Sequence, residues 1–260
     1  MSIVSTYLKT DDLRIFDAHF HIIDPRFRLT GNNGYLPDNF TCADYLNIMK
    51  GKNLVGGAVV SGSFQGFDQN YLIDALAQLG SSFYGVTQIS LQTTDEEIAH
   101  LNRCGVRAVR FNLKRGGSEK IEHLDRLARR VYELAGWHTE LYIDSTELNR
   151  LYDDIVALPS VSIDHLGLSS AGFRTILMLA ERGVRIKASG FGRVDFDVPT
   201  ALREIYAASP DALMFGSDLP STRTPRPYKD EDLTLVFDTL GDTGAAKVLY
   251  ENAISFYAHN

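Results

Sequence analysis

An α/β fold, with one parallel sheet closed into a single (β/α)8 TIM barrel, is predicted by three observations on this chain of 260 residues. Eight short apolar runs rich in Val, Ile and Phe recur along it. Each is followed by a longer segment with helical periodicity and often a Ser, Thr or Asp start signal. No Pro/Gly/Ser-rich linker divides the chain, so residues 1–260 read as one domain.

The runs are "IFDAHFHII" (15 to 23), "VGGAVVSG" (55 to 62), "FYGVTQIS" (83 to 90) and "VRAVRFNL" (106 to 113), then "HTELYID" (138 to 144), "VSIDHLG" (161 to 167), "VRIKASG" (184 to 190) and "LMFGSDLP" (213 to 220). Between them lie helical patterns: "TCADYLNIMK", "DQNYLIDALAQL", "EKIEHLDRLARRVYEL", "TELNRLYDDIVAL", "SAGFRTILMLAER" and "PTALREIYAAS". "TDEE", from Thr94 to Glu97, has capping-box spacing, in which the two side chains satisfy orphan backbone donors at a helix start. Glycines at 80, 105, 136 and 183 stand where helices should end. A doubly wound open sheet would want a Gly-rich phosphate turn after an early strand, and "DPRFRLTGNNGY" follows the first run instead.

Net charge is −7, with no run of lysines or arginines, so phosphate backbones find nothing to hold and nucleic acid is not expected as a partner. No apolar stretch approaches the ~20 residues of a membrane span, and "MSIVSTYLKTDD" lacks the basic start and apolar run of a signal peptide. Cys42 and Cys104 lie far apart in no metal-binding spacing and read as free thiols. A cytoplasmic protein is expected. Oligomeric state is not written in these features.

Side chains alternate across a strand, and in a barrel the outward set packs against helices, so the apolar set should point out and the polar set in. In the first run this rule sends Phe16, Ala18, Phe20 and Ile22 outward and Asp17, His19 and His21 inward. Arg110 and Asn112 face in on the fourth, and Glu140, Tyr142 and Asp144 on the fifth. His165 ends the sixth, Lys187 and Ser189 share a parity on the seventh, and Asp218 ends the eighth. Each is expected at or near the C-terminal end of its strand, where barrel enzymes assemble their sites. Burying so many ionisable groups without a task would cost several kcal/mol each, on the order of known desolvation penalties.

Two imidazoles at i and i+2 lie about 6.5 to 7 Å apart along a strand and can converge on one small group. Asp218, which as a bland alternative would cap a turn, faces three imidazoles and suits a general base. His100, His123 and His259 fall on helical segments or the tail and read as solvated, and His138 opens its strand at the opposite end of the barrel. Arg110, Lys187 and the "STRTPRPY" loop, with Arg223, Arg226 and Tyr228, place positive charge at the mouth of an acidic protein. A small anionic ligand is the implied partner; Arg110 is its strongest candidate contact because its parity points inward, while Arg223, Arg226 and the loop arginine Arg115 are equally open to a solvated-surface reading.

At "FDAHFHIIDP", "GVRAVRFNL", "GWHTELYID", "VSIDHLG", "IKASGFGR" and "MFGSDLP" the chain resembles the amidohydrolase superfamily, and more closely its branch of 2-pyrone-4,6-dicarboxylate lactonases and sugar lactonases. The motifs cover all eight strands. Many superfamily members bind one or two divalent metals through histidines on the first, fifth and sixth strands, a Lys or Glu on the fourth and an Asp on the eighth. His19, His21, His165 and Asp218 match that pattern. Arg110, Asn112 and Tyr142 stand where the remaining ligands would be, so the resemblance implies no binuclear site. It implies either no required cofactor, as in the pyrone-dicarboxylate branch, or a single ion such as Zn²⁺ on His19, His21, His165 and Asp218.

The function expected is hydrolysis of a carboxylate-bearing lactone. Asp218 is its general base, and His19, His21 and His165 donate to the carbonyl oxygen as it becomes an oxyanion. Arg110 orients the substrate carboxylate, with Lys187, Arg223 and Arg226 in support and Tyr142 and Ser189 as further contacts. The alternatives are a Zn-dependent decarboxylase or amidohydrolase of the same superfamily and a non-catalytic carboxylate-binding protein.

Overall fold

The structure, a computed structural model, describes residues 13–258. The N-terminal stretch read above for a leader, and His259, lie outside them.

Strands and helices alternate as β1 Ile15–Phe20, α1 Cys42–Ile48, β2 Leu54–Val60, α2 Asn70–Leu79, β3 Phe83–Thr87, α3 Asp95–Arg103, β4 Val106–Asn112 and α4 Leu124–Ala135. They continue as β5 His138–Tyr142, α5 Leu148–Ala157, β6 Val161–Ile163, α6 Phe173–Glu181, β7 Arg185–Ala188, α7 Val198–Ala208, β8 Leu213–Phe215 and α8 Glu231–Ala246. A π turn over Lys247–Glu251 leads into a last helix, α9 Asn252–Tyr257. The eight strands form one parallel sheet in the order of the sequence, the (β/α)8 barrel that the alternation predicts. Among the described residues no helix is long and apolar enough to cross a membrane.

Local chemistry sets the helix starts. Thr41 with Asp44 and Thr94 with Glu97 form capping boxes, and Asp197 accepts from Thr200 N at 3.0 Å ahead of a proline in the first turn of α7. Gly136 ends α4 in the left-handed conformation, φ 69°. Both cysteines are free.

Hydrogen-bonded ladders join each strand to the next from β1 to β8, and the β8–β1 seam is closed by other means. Asp17 accepts from Ser217 N at 2.8 Å and Ser217 Oγ at 2.6 Å. Asp218 N donates to His19 O, and His21 N to Leu219 O, each at 2.7 Å. Gly216 makes the close approach possible, since a Cβ there would meet the His19 Cβ at 2.7 Å.

The parity expected for the first strand holds for only half of it. The β1–β2 register shifts between Asp17 and Phe20, a bulge that inserts one residue and turns over the faces before it. Phe16 and Ala18 consequently face the barrel interior, packed with Ala58, Val86, Met214 and Tyr257. Asp17 points to the helix layer, where Tyr45 of α1 donates to it at 3.1 Å. Beyond the bulge Phe20 stacks outward on Tyr45, ring centroids 3.8 Å apart, and His19 and His21 face the axis. Burial pushes the Asp17 carboxyl up to about 6 in spite of its four donors.

Candidate active site

At the C-terminal ends of the strands His19, His21, His165 and Asp218 meet, all at most 5% exposed. The Nε2 atoms of the three histidines lie 4.0, 3.8 and 3.9 Å from Asp218 Oδ1. Those separations are too long for hydrogen bonds. His19 Nε2 and Asp218 Oδ1 are therefore buried without a hydrogen-bond partner. The other carboxylate oxygen, Oδ2, accepts from Arg193 Nε at 2.6 Å.

Each group is held from behind. His21 Nδ1 lies 2.7 Å from the Val60 carbonyl oxygen. A carbonyl only accepts, so the proton sits on Nδ1. Burial, with Arg110 second, pushes the imidazole down to about 3, so it is neutral near pH 7 and its Nε2 carries a lone pair. His165 Nδ1 pairs with Ser189 Oγ at 2.9 Å, and His19 Nδ1 faces Asp164 Oδ1 at 3.4 Å. Burial also holds His19 and His165 well below the usual imidazole range. The Asp218 carboxyl is raised by burial, against the opposing pull of Arg193.

Backbone strain concentrates here. His165, Leu166, Leu168, Asp218, Ser221 and Arg223 have φ between 52° and 70°, a region costly for residues with a Cβ and most often kept at functional sites. Gly190 leaves room for the His165 ring, which a Cβ there would meet at 2.7 Å.

Beside His21 and His165 opens a cleft of about 370 Å³, counting the part open to solvent. Arg110, Arg115, Arg193 and Arg223 line it, with Tyr35, Phe64, Asn112 and Tyr142 and no acidic side chain. Arg110 has Nε and Nη2 on Asp164 Oδ2, at 3.1 and 2.6 Å, and Nη1 on Ser61 O at 2.8 Å. Burial alone would raise Asp164, but Arg110 and Lys187 keep it below the ordinary carboxylate value. Arg223 lies over the Tyr35 ring, 4.1 Å from its centroid, and bonds to Asn32, which also reaches Arg115 O at 3.0 Å. The loops after β1, β4 and β8 are thereby tied together over the mouth.

Not every candidate arrives at the cleft. Lys187 lies a layer below it, its Nζ 2.6 Å from Glu140 Oε2. Ser189 stands behind His165. Arg226 turns away to Asp232, 3.0 Å from its Oδ1. Tyr142 and Arg223 do line the cleft. Sequence reasoning passed over Arg193 and Asp164, although "SGFGR" and "SIDHLG" contain both. Arg193 sits in a loop to which the strand parity rule assigns no direction.

An amidohydrolase family model matches residues 16–258. A 2-pyrone-4,6-dicarboxylate hydrolase of Comamonas testosteroni is 26% identical over 249 residues, covering 85% of this chain and 81% of that one. A structure of a probable 2-pyrone-4,6-dicarboxylic acid hydrolase of Acinetobacter baumannii, with citric acid bound, superposes with a TM-score of 0.81 at 23% identity, over 94% of this chain and 99% of the other. For a candidate 2-pyrone-4,6-dicarboxylic acid hydrolase of Pseudomonas putida the TM-score is 0.78 at 26% identity, over 95% and 98%. With its barrel, its histidine and aspartate cluster and a family match running almost from end to end, the chain belongs to the amidohydrolase family and is a hydrolase.

Proposed function

We propose that this hydrolase opens a lactone bearing one or more carboxylates, of the kind typified by 2-pyrone-4,6-dicarboxylate. One observation carries the reading: a cleft lined by four arginines and, among the described residues, no acid has in its wall His21, His165 and Arg193, three side chains that face the buried Asp218 carboxylate, whose Oδ1 is unpartnered. The names of the Comamonas and Pseudomonas relatives support the same substrate class.

Asp218 Oδ1 takes a proton from water as general base. Arg193 on Oδ2 keeps the carboxylate ionised and leaves Oδ1 free. Burial strengthens it as a base relative to an exposed aspartate. The imidazoles divide their work. His21, its one proton committed to Val60, accepts at Nε2 and does not donate to an oxyanion, which replaces the expectation that all three histidines polarise the carbonyl alike. That task passes to His19 and His165. Arg110 spends three N–H groups on Asp164 and Ser61 and keeps two for a substrate carboxylate, with Arg115 and Arg223 across the cleft.

The resemblance to metal-binding amidohydrolases raises the question of a divalent ion, and the donor set fits one. His19 Nε2 and Asp218 Oδ1 lack hydrogen-bond partners, His21 aims a lone pair at the same point, and the three ligand atoms lie within 4.8 Å of one another. His19, His21 and Asp218 would hold the ion with His165 beside them, and it would supply Lewis-acid polarisation of the scissile carbonyl. The same convergence favours, as a second reading, a metal-dependent decarboxylase or amidohydrolase.

A turnover screen of the protein purified without chelator, across pyrone and sugar-acid lactones with metal analysis, separates these readings. Ring opening of the dicarboxylate supports the lactonase, and chelator then tells whether an ion takes part. Chelator-sensitive release of CO₂ or amine with no lactone opened would replace it by the second reading.

A further inference from the structure

Beneath the mouth lies a second set of charges that the proposed chemistry leaves idle. Lys187 and Glu140 are fully buried and meet at 2.6 Å. Glu140 also accepts from the Tyr257 hydroxyl at 2.5 Å and lies 3.2 Å from His138 Nε2. On its other side Lys187 Nζ stands 3.5 Å from His19 Nδ1 and 3.8 Å from Asp164 Oδ1. Barrels usually fill such a layer with branched apolar side chains. A buried ion pair is weak evidence for stability, because desolvation offsets much of its attraction. Its place, one contact below His19, calls for another role.

We infer that Tyr257, Glu140 and Lys187 form a positioning chain that sets the His19 ring. The inference rests on the hydrolytic reading of the mouth for its kinetic consequence. An ammonium only donates, so opposite His19 Nδ1 it favours the lone pair on that nitrogen and the proton on Nε2. Asp164 Oδ1, 3.4 Å from the same Nδ1, favours the reverse. The placement of Lys187 decides between them, and Glu140 decides that placement. In the metal-free lactonase reading, with Lys187 in position, His19 presents an N–H to the mouth while His21 presents a lone pair. The last helix thus reaches the reaction through its buried tyrosine.

The test uses the full-length protein with ¹⁵N-labelled histidine and two variants. Lys187→Met/Glu140→Leu removes both charges together and orphans neither. Tyr257→Phe removes one donor from Glu140 and keeps the ring. The ring ¹⁵N resonances of His19 should move in both variants while those of His21, anchored by Val60, stay in place. On the dicarboxylate lactone kcat should fall about tenfold in the double variant and about threefold in Tyr257→Phe, with KM within about twofold. A folded double variant with unmoved His19 resonances and full kcat overturns the inference. If that variant does not fold, unmoved His19 resonances in Tyr257→Phe overturn it. If the wild-type protein opens no lactone, the hydrolytic reading fails by itself, and the His19 resonances still decide the positioning claim.

Discussion

At the bottom of the barrel Phe16, Tyr84 and Tyr257 pack with ring centroids 5.4 to 6.1 Å apart, while toward the other end of the strands stand His19, Arg110 and Asp164. Burial does not separate the two regions, for Phe16 is 1% exposed and His19 0%. Satisfaction does. The bottom is aromatic and apolar, plugged by α9, whose Asn252 Nδ2 donates to Pro210 O and Leu213 O at 3.0 and 2.9 Å. The mouth holds unpartnered His19 Nε2 and Asp218 Oδ1, left-handed residues and a ring of arginines. At the bottom the unpartnered nitrogen His138 Nδ1 sits among packed rings, whereas at the mouth the unpartnered atoms lie within 4.8 Å of one another, as a ligand site requires.

The comparison breaks most sharply at Asp218. Asp218→Asn should lower kcat by about 10² to 10⁴ with the circular dichroism and melting transition retained, the range typical of a lost general base. The matching change at the bottom is Phe16→Ala. It should cost about 3 to 5 kcal/mol in urea unfolding, as large-to-small core changes do, while KM of the folded fraction stays put. A KM that rose with it would mean the two ends are coupled beyond the Lys187 chain.

Between the ends, the layer of Glu140 makes a prediction in pH. Burial opposes ionisation of Glu140, yet Lys187 and His138 bring its carboxyl down to about 2 from 4.5. A depressed carboxyl contributes stability that is fully present above its unfolded value and lost as pH falls through the folded one. Unfolding free energy should therefore drop by a few kcal/mol between about pH 4.5 and 2, and Lys187→Met/Glu140→Leu should flatten that limb. Urea titrations at several pH values check it. The smallest effect belongs to the rim: Arg223→Met should raise KM for a dicarboxylate about tenfold, the order of one charge-assisted contact, and leave kcat nearly unchanged.

Much of this was legible beforehand, and the failures share a cause. The eight runs, the Thr94 capping box and the meeting of His19, His21, His165 and Asp218 follow from period and position along each strand, which are local properties. The bulge in β1 is not local. It lies in the pairing of β1 with β2, so alternation misplaced Phe16, Asp17 and Ala18 and was right again from His19 onward. Lys187, Ser189 and Arg226 have the expected chemistry and partners that draw them elsewhere: Glu140, His165 and Asp232. Arg193 and the Tyr257 plug depend on a loop and a terminal helix whose paths only the closed barrel determines.

The most direct test of the central claim is steady-state hydrolysis of 2-pyrone-4,6-dicarboxylate beside unsubstituted 2-pyrone. The arginine-lined cleft predicts a kcat/KM at least about 100-fold higher for the dicarboxylate, as two lost charge-assisted contacts would imply. Equal values, or turnover of the uncharged ring alone, would contradict it.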